Sequence, residues 1–91
     1  ATDAEQMGMI YKAVDDDKLQ ETAFATAVTL AQMPTKGIAL TKKLLNEGTV
    51  NSLEIQLERE KEEQIIAAST YDYNEGVNAF LEKRPAVFKG E

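Results

Sequence analysis

The 91-residue chain contains no cysteine and no histidine. Without cysteine, disulfides and thiolate metal sites are excluded, which suits a reducing compartment such as the cytoplasm. Without histidine, Cys–His and Ser–His–Asp catalysis, the usual zinc sites and a side-chain switch near neutral pH are excluded as well. Acid–base chemistry within these residues would fall to carboxylates, lysines or tyrosines. Basic residues are also in short supply: 10 Lys and Arg stand against 16 Asp and Glu, for a net charge of −6. That balance, with no basic stripe to offset it, argues against nucleic acid and anionic membrane as partners. No apolar run approaches the roughly 20 residues needed to span a bilayer, and Ala1-Thr2-Asp3-Ala4-Glu5 lacks a secretory leader's basic and apolar regions. The chain therefore reads as soluble and cytoplasmic, with a length that suits one small domain over residues 1–91.

What is there is mostly helical pattern. Thr2 followed by Glu5 forms a capping box opening a short helix that Gly8 can end. Residues 9–14 read as a short extended stretch, too small to build a sheet with anything else in the chain. Asp17 with Gln20 signals a second helix start, and Leu19, Ala23, Phe24, Ala27, Val28, Leu30 and Ala31 give that helix an apolar face until Pro34 stops it. Thr35 is positioned to cap the next helix, in which Ile38, Thr41, Leu44 and Leu45 recur until Gly48. Ser52 opens a longer helix running to about Ser69, and Asp72 with Glu75 forms a capping box for a last one, with Tyr73, Val77, Phe80 and Leu81 on one face. Arg84 precedes Pro85, so that helix should end there. The fold class expected is all-α: a small bundle of about four helices with a short N-terminal turn and an extended segment.

Two charged stretches invite a chemical reading. Asp15-Asp16-Asp17 has too few oxygen ligands and no turn glycine at the spacing of a calcium or magnesium loop, so capping of the following helix explains it better than a metal. From Glu58 to Gln64 every residue is polar or charged, and Glu58, Glu60, Glu62 and Glu63 interleave with Arg59 and Lys61 as on a solvated helix face. That stretch could instead face something outside the chain.

The run Thr70-Tyr71-Asp72-Tyr73-Asn74-Glu75-Gly76-Val77-Asn78-Ala79-Phe80-Leu81-Glu82-Lys83-Arg84, followed by Pro85, Phe88 and Gly90, resembles the C-terminal pattern of the crotonase superfamily, the enoyl-CoA hydratases and isomerases. Its form there is Ser/Thr-x-Asp-x-x-Glu-Gly-x-x-Ala-Phe-x-x-Lys-Arg, then a Pro, a Phe and a Gly. Weaker similarities run in the same order upstream: Ala4-Glu5 with Val14, Pro34 with Ala39-Leu40 and Lys42, and Leu57 with Glu60. Two positions depart from the pattern. Met7 stands where Ala is usual, and Pro85 follows Arg84 directly rather than one place later. The Gly8-Met9-Ile10 and Asp-Tyr-x-Glu-Gly-Val runs lean toward the phenylacetate-pathway branch.

The resemblance implies that the chain corresponds to the helical C-terminal domain of such an enzyme. Catalysis in the family belongs to an N-terminal spiral of β-β-α units, where two backbone N–H groups stabilise an acyl-CoA enolate and carboxylates move protons. No catalytic residue and no metal ligand is thus expected here, and no cofactor, since CoA enters as part of the substrate. The implied partners are an acyl-CoA substrate and further copies of the parent protein in a homo-oligomer, trimer or hexamer. Carried over residue by residue, Phe80 and Lys83 would approach the adenosine-phosphate end of CoA, the aromatic face on adenine and the ammonium, three residues later and on nearly the same helix face, on a phosphate. Two other classes compete. Asn51-Ser52-Leu53 is similar to the Asp-Ser-Leu of acyl carrier proteins, but the charged stretch after it lacks their apolar stripe. A stand-alone acidic helical interaction module would keep Phe80 in its own core.

Overall fold

The computed structural model describes residues 1–91, and all of its regular elements are helical. They are α1 (Thr2–Gln6), a 3₁₀ turn (Asp16–Lys18), α2 (Leu19–Ala31), α3 (Thr35–Gly48), α4 (Leu53–Ala68) and α5 (Tyr71–Glu82). Residues 9–14 form an irregular connector without strand pairing, bent over 9–11, where the Met9 amide donates back to the Ala4 carbonyl at 2.8 Å, so the extended stretch expected there is shorter than the sequence suggests. The all-α expectation holds.

Several start signals work differently from the sequence reading. Ser52 caps α4, its hydroxyl accepting from the Ile55 amide at 3.4 Å. Thr2 and Thr35 do not cap: each is already the first residue inside its helix, with Ala1 and Pro34 in the capping positions. Glu5 reaches away from its own helix to accept from the Ala13 amide at 3.1 Å, tying the connector back onto α1. Asp17 lies within the 3₁₀ turn, and the extended residue before it is Asp15, whose carboxylate stands 3.6 Å from the Lys18 ammonium. The α5 cap is Thr70, accepting from the Tyr73 amide at 3.1 Å, which leaves Asp72 and Glu75 free for other work.

α3 and α4 pack as a pair through a polar seam. The stripe Gln56, Arg59, Glu63 follows helical spacing along α4 and faces α3. Gln56 donates to the Leu44 carbonyl at 3.1 Å, Arg59 Nε to Glu47 at 3.0 Å, and the Lys43 ammonium sits 2.6 Å from Glu63. Glu63 is only 3 % exposed, so the expectation of a solvated face fails at this residue; Glu58, Lys61, Glu62 and Gln64 are exposed, as that expectation has it. Hydropathy misses the seam because both of its sides are charged.

The apolar residues of α4 point the other way. Leu53, Ile55, Leu57, Ile65 and Ile66 are all exposed, as are Val77, Phe80 and Leu81 on α5 and Phe24, Val28 and Leu30 on α2. Only five residues are buried, and Ala79 is the single apolar one. The consequence is an open layer of 42 × 39 × 19 Å with a radius of gyration of 16.7 Å, where a compact chain of this length has about 12 Å. Its accessible surface is 7380 Å², against about 5,300 Å² for a compact monomer of the same mass. The excess, on the order of 2,000 Å², has the size of a substantial protein interface.

After α5 the chain folds back along that helix and reaches Thr35 at the start of α3. Gly90 adopts φ +79, and a Cβ built there would lie 2.5 Å from Thr35 Oγ1. Gly90→Ala is accordingly expected to cost about 1–2 kcal/mol from the left-handed backbone alone. Urea unfolding is the measurement; adding Thr35→Ala should recover the steric part and leave the backbone part in place.

Candidate functional site

The junction between α5 and residues 84–91 gathers three of the five buried residues and is built by the same run that the sequence singles out. Asp72, 2 % exposed, accepts from the Lys89 amide at 2.6 Å and the Gly90 amide at 2.8 Å, while its own amide donates to the Glu91 carbonyl at 3.1 Å. One turn further along α5, Glu75 takes both terminal nitrogens of Arg84, at 2.6 and 2.9 Å, and the Val87 amide at 2.9 Å. The Phe88 ring lies over Gly76, where an added Cβ would make ordinary contact with it at 3.6 Å. Ala79, 2 % exposed, completes the face of α5 on which the tail lies. The Lys89 ammonium rests over the Tyr71 ring, 4.2 Å from its centroid. The Asp72, Glu75, Ala79, Arg84, Phe88 and Gly90 of the run therefore share one structural task, which is to hold the tail against α5. The capping box expected at Asp72 and Glu75 is replaced by these contacts, with partners up to 18 residues away.

Arg84's two hydrogen bonds hold the Glu75 carboxyl down to about 2, and the Val87 amide adds to this, while partial burial opposes it. The same contact, with Glu82 beside it, raises the Arg84 guanidinium. In the α3–α4 seam, Arg59 lowers Glu47 and is itself raised chiefly by the hydrogen bond to Glu47. One seam oxygen, Glu63 Oε2, is buried without a hydrogen-bond partner.

Of the two residues singled out for CoA, Phe80 is 82 % exposed and Lys83 is exposed. A free-standing interaction module would bury Phe80 in its own core, and this chain does not. Phe80 lines an apolar groove with Pro34, Ala67, Val77, Leu81 and Phe88. Lys83 is not on the same helical face: α5 ends at Glu82, and Lys83 takes the left-handed conformation, φ 53 and ψ 43. It is the only non-glycine residue with positive φ. The Lys83 amide donates to the Phe80 carbonyl and the Arg84 amide to the Ala79 carbonyl, the paired bonds of a Schellman turn. Glycine is the usual occupant, and a lysine there costs about 1–2 kcal/mol. Ser52, the serine of the acyl-carrier similarity, caps α4 and opens a helix whose exposed and buried sides both carry charge. No helix is long and apolar enough to cross a membrane.

An open apolar layer, a tail pinned by Asp72 and Glu75, and the order of motifs along the chain define one class. The profile of the enoyl-CoA hydratase/isomerase family matches residues 1–91, and the chain belongs to that family. It is 43% identical over 91 residues to 1,2-epoxyphenylacetyl-CoA isomerase of Escherichia coli K12, covering all of this chain and 35% of that protein. It is 40% identical to a probable enoyl-CoA hydratase of Rhodobacter capsulatus, over 99% of this chain and 35% of that one. Among solved structures, enoyl-CoA hydratase subunit I of Geobacillus kaustophilus superposes with a TM-score of 0.93 at 30% identity, covering all of this chain and 35% of its own. The chain thus spans about a third of the length of these relatives, their C-terminal part.

Because the Glu75 carboxyl is lower in the folded chain than its ordinary 4.5, the pinned tail is fully stabilised above that value and loses this contribution as pH falls toward about 2. Hydrogen exchange at the Val87 amide should stay protected from pH 7 to about 4.5 and open progressively below it. Glu75→Gln should remove that pH dependence and weaken protection throughout; unchanged protection at pH 2.5 would contradict the assignment.

Proposed function

We propose that this chain acts as the helical C-terminal part of an enoyl-CoA hydratase/isomerase working on acyl-CoA thioesters in the cytoplasm, where it makes subunit contacts and closes over bound CoA. The observation that carries the reading is the inversion of α4 and α5: charged residues face inward, and Leu57, Ile65, Val77, Phe80 and Leu81 face outward. Apolar side chains held on a fixed scaffold and left uncovered by their own chain are what an obligate interface requires. Occupants that fit are the rest of the parent protein and its neighbouring copies in a homo-oligomer, trimer or hexamer.

Within that interface Phe80 would pack on the adenine of CoA and Lys83 would meet a phosphate, the aromatic as a flat apolar face and the ammonium as a point charge. The thioester would enter as substrate, with no separate cofactor. Residues 1–91 would by themselves be inactive, since the oxyanion-hole amides and proton-transferring carboxylates of the family lie in the N-terminal part. The similarity to an isomerase of epoxyphenylacetyl-CoA supports an acyl group from phenylacetate degradation over one from fatty acid metabolism.

Kinetics of the full gene product test this. Phe80→Ala and Lys83→Ala should each raise KM for the acyl-CoA by roughly tenfold while kcat at saturation changes little, since uniform binding is what they remove. A KM unchanged in both variants would overturn the assignment.

A further inference from the structure

Lys83 holds a conformation that its own side chain disfavours, so something else must hold it there. Hydrogen bonds of the Schellman turn account for the amides of Lys83 and Arg84 but do not select lysine over glycine. What distinguishes this turn is its neighbour. The Arg84 guanidinium reaches back nine residues and grips both Glu75 oxygens at 2.6 and 2.9 Å, while its Nε meets Glu82 on the near side of Lys83. The side chains immediately before and after Lys83 are thereby tied to each other and to α5. Glu75 is in turn fixed by the Val87 amide, so the grip is anchored in the tail and not in a mobile side chain.

We infer that the Glu75–Arg84 clamp is a positioning device: it holds the backbone of Lys83 in the left-handed region and so aims its ammonium away from the line of α5. The inference rests on the reading of Lys83 as a phosphate contact, which it deepens by naming the residues that set its direction. A bidentate guanidinium–carboxylate pair fixes an angle as well as a distance, which a lysine in place of Arg84 cannot do. Glu75 and Arg84 touch no ligand in this account. They act through Lys83.

The test uses Arg84→Lys, which keeps the charge and loses the fork, and Lys83→Ala and Lys83→Gly. In the full gene product, calorimetric affinities for CoA and for 3′-dephospho-CoA are compared. Lys83→Ala should reduce the preference for CoA by roughly tenfold, the effect of one charge-assisted contact. Lys83→Gly, which accepts the left-handed turn without strain, should lose the preference equally. Arg84→Lys should lose roughly threefold or more with Lys83 still present. In the 91-residue chain itself, Lys83 carbon shifts and the HN–Hα coupling report its φ, and Arg84→Lys should move them toward the right-handed or extended range. If Arg84→Lys leaves Lys83 left-handed, or leaves the CoA preference intact while Lys83→Ala abolishes it, the positioning role is overturned and the phosphate contact stands. If Lys83→Ala keeps the preference, the phosphate contact is overturned, and the clamp is then judged on the Lys83 backbone alone.

Discussion

Two carboxylates on one face of α5 hold together what the apolar residues of this chain do not. Asp72 and Glu75 between them accept from three tail amides and a guanidinium, and these bonds bring residues 84–91 back along α5 and up to Thr35 at the start of α3. Hydrogen bonds to ionised acceptors are among the stronger ones, and here they are satisfied by amides that have no helix of their own. Remove them and the tail keeps only Phe88 against Gly76, Lys89 over Tyr71 and one backbone bond from the Asp72 amide to the Glu91 carbonyl. A second polar device, the seam of Lys43, Glu47, Arg59 and Glu63, couples α3 to α4 in the same way.

Wiring the interior with charge frees the apolar residues for outside use. In most small domains burial of apolar area is the main stabilising contribution and polar groups decorate the surface. Here one alanine is the whole buried apolar inventory, and the apolar faces of α2, α4 and α5 are bare. Such a chain gains little from the hydrophobic effect on its own and much when something covers it. The groove that Phe80 and Phe88 line lies beside the pinned tail, so the geometry of that groove depends on the carboxylates beneath it.

The helices themselves were legible in the sequence, because Gly48, Ser52 and the 3.6-residue recurrence of Ile38, Leu44 and Leu45 are local signals that tertiary structure did not override. So was the importance of the Thr70–Arg84 run. Its task was not, since a carboxylate that serves amides 17 and 18 residues away looks, in a local window, like a helix cap. Glu63 was lost for a related reason: a buried acid between a lysine from another helix and an arginine on its own is indistinguishable by pattern from a solvated one. Spacing also put Lys83 on the face of Phe80, an extrapolation that fails where the helix ends at Glu82. Which side of α4 faces inward cannot be read from hydropathy when the apolar side is the exposed one.

Polar contacts shape this layer internally, and its apolar faces stay open in the chain by itself. Amide hydrogen exchange, run side by side on the 91-residue chain and on the full gene product, tests this directly. Val87, Lys89 and Gly90 should be protected in both, and the amides of α2, whose apolar residues are bare here, should become strongly protected only in the full product. Equal protection of α2 in the two forms, or a tail that exchanges freely in the short chain while α2 does not, would contradict this.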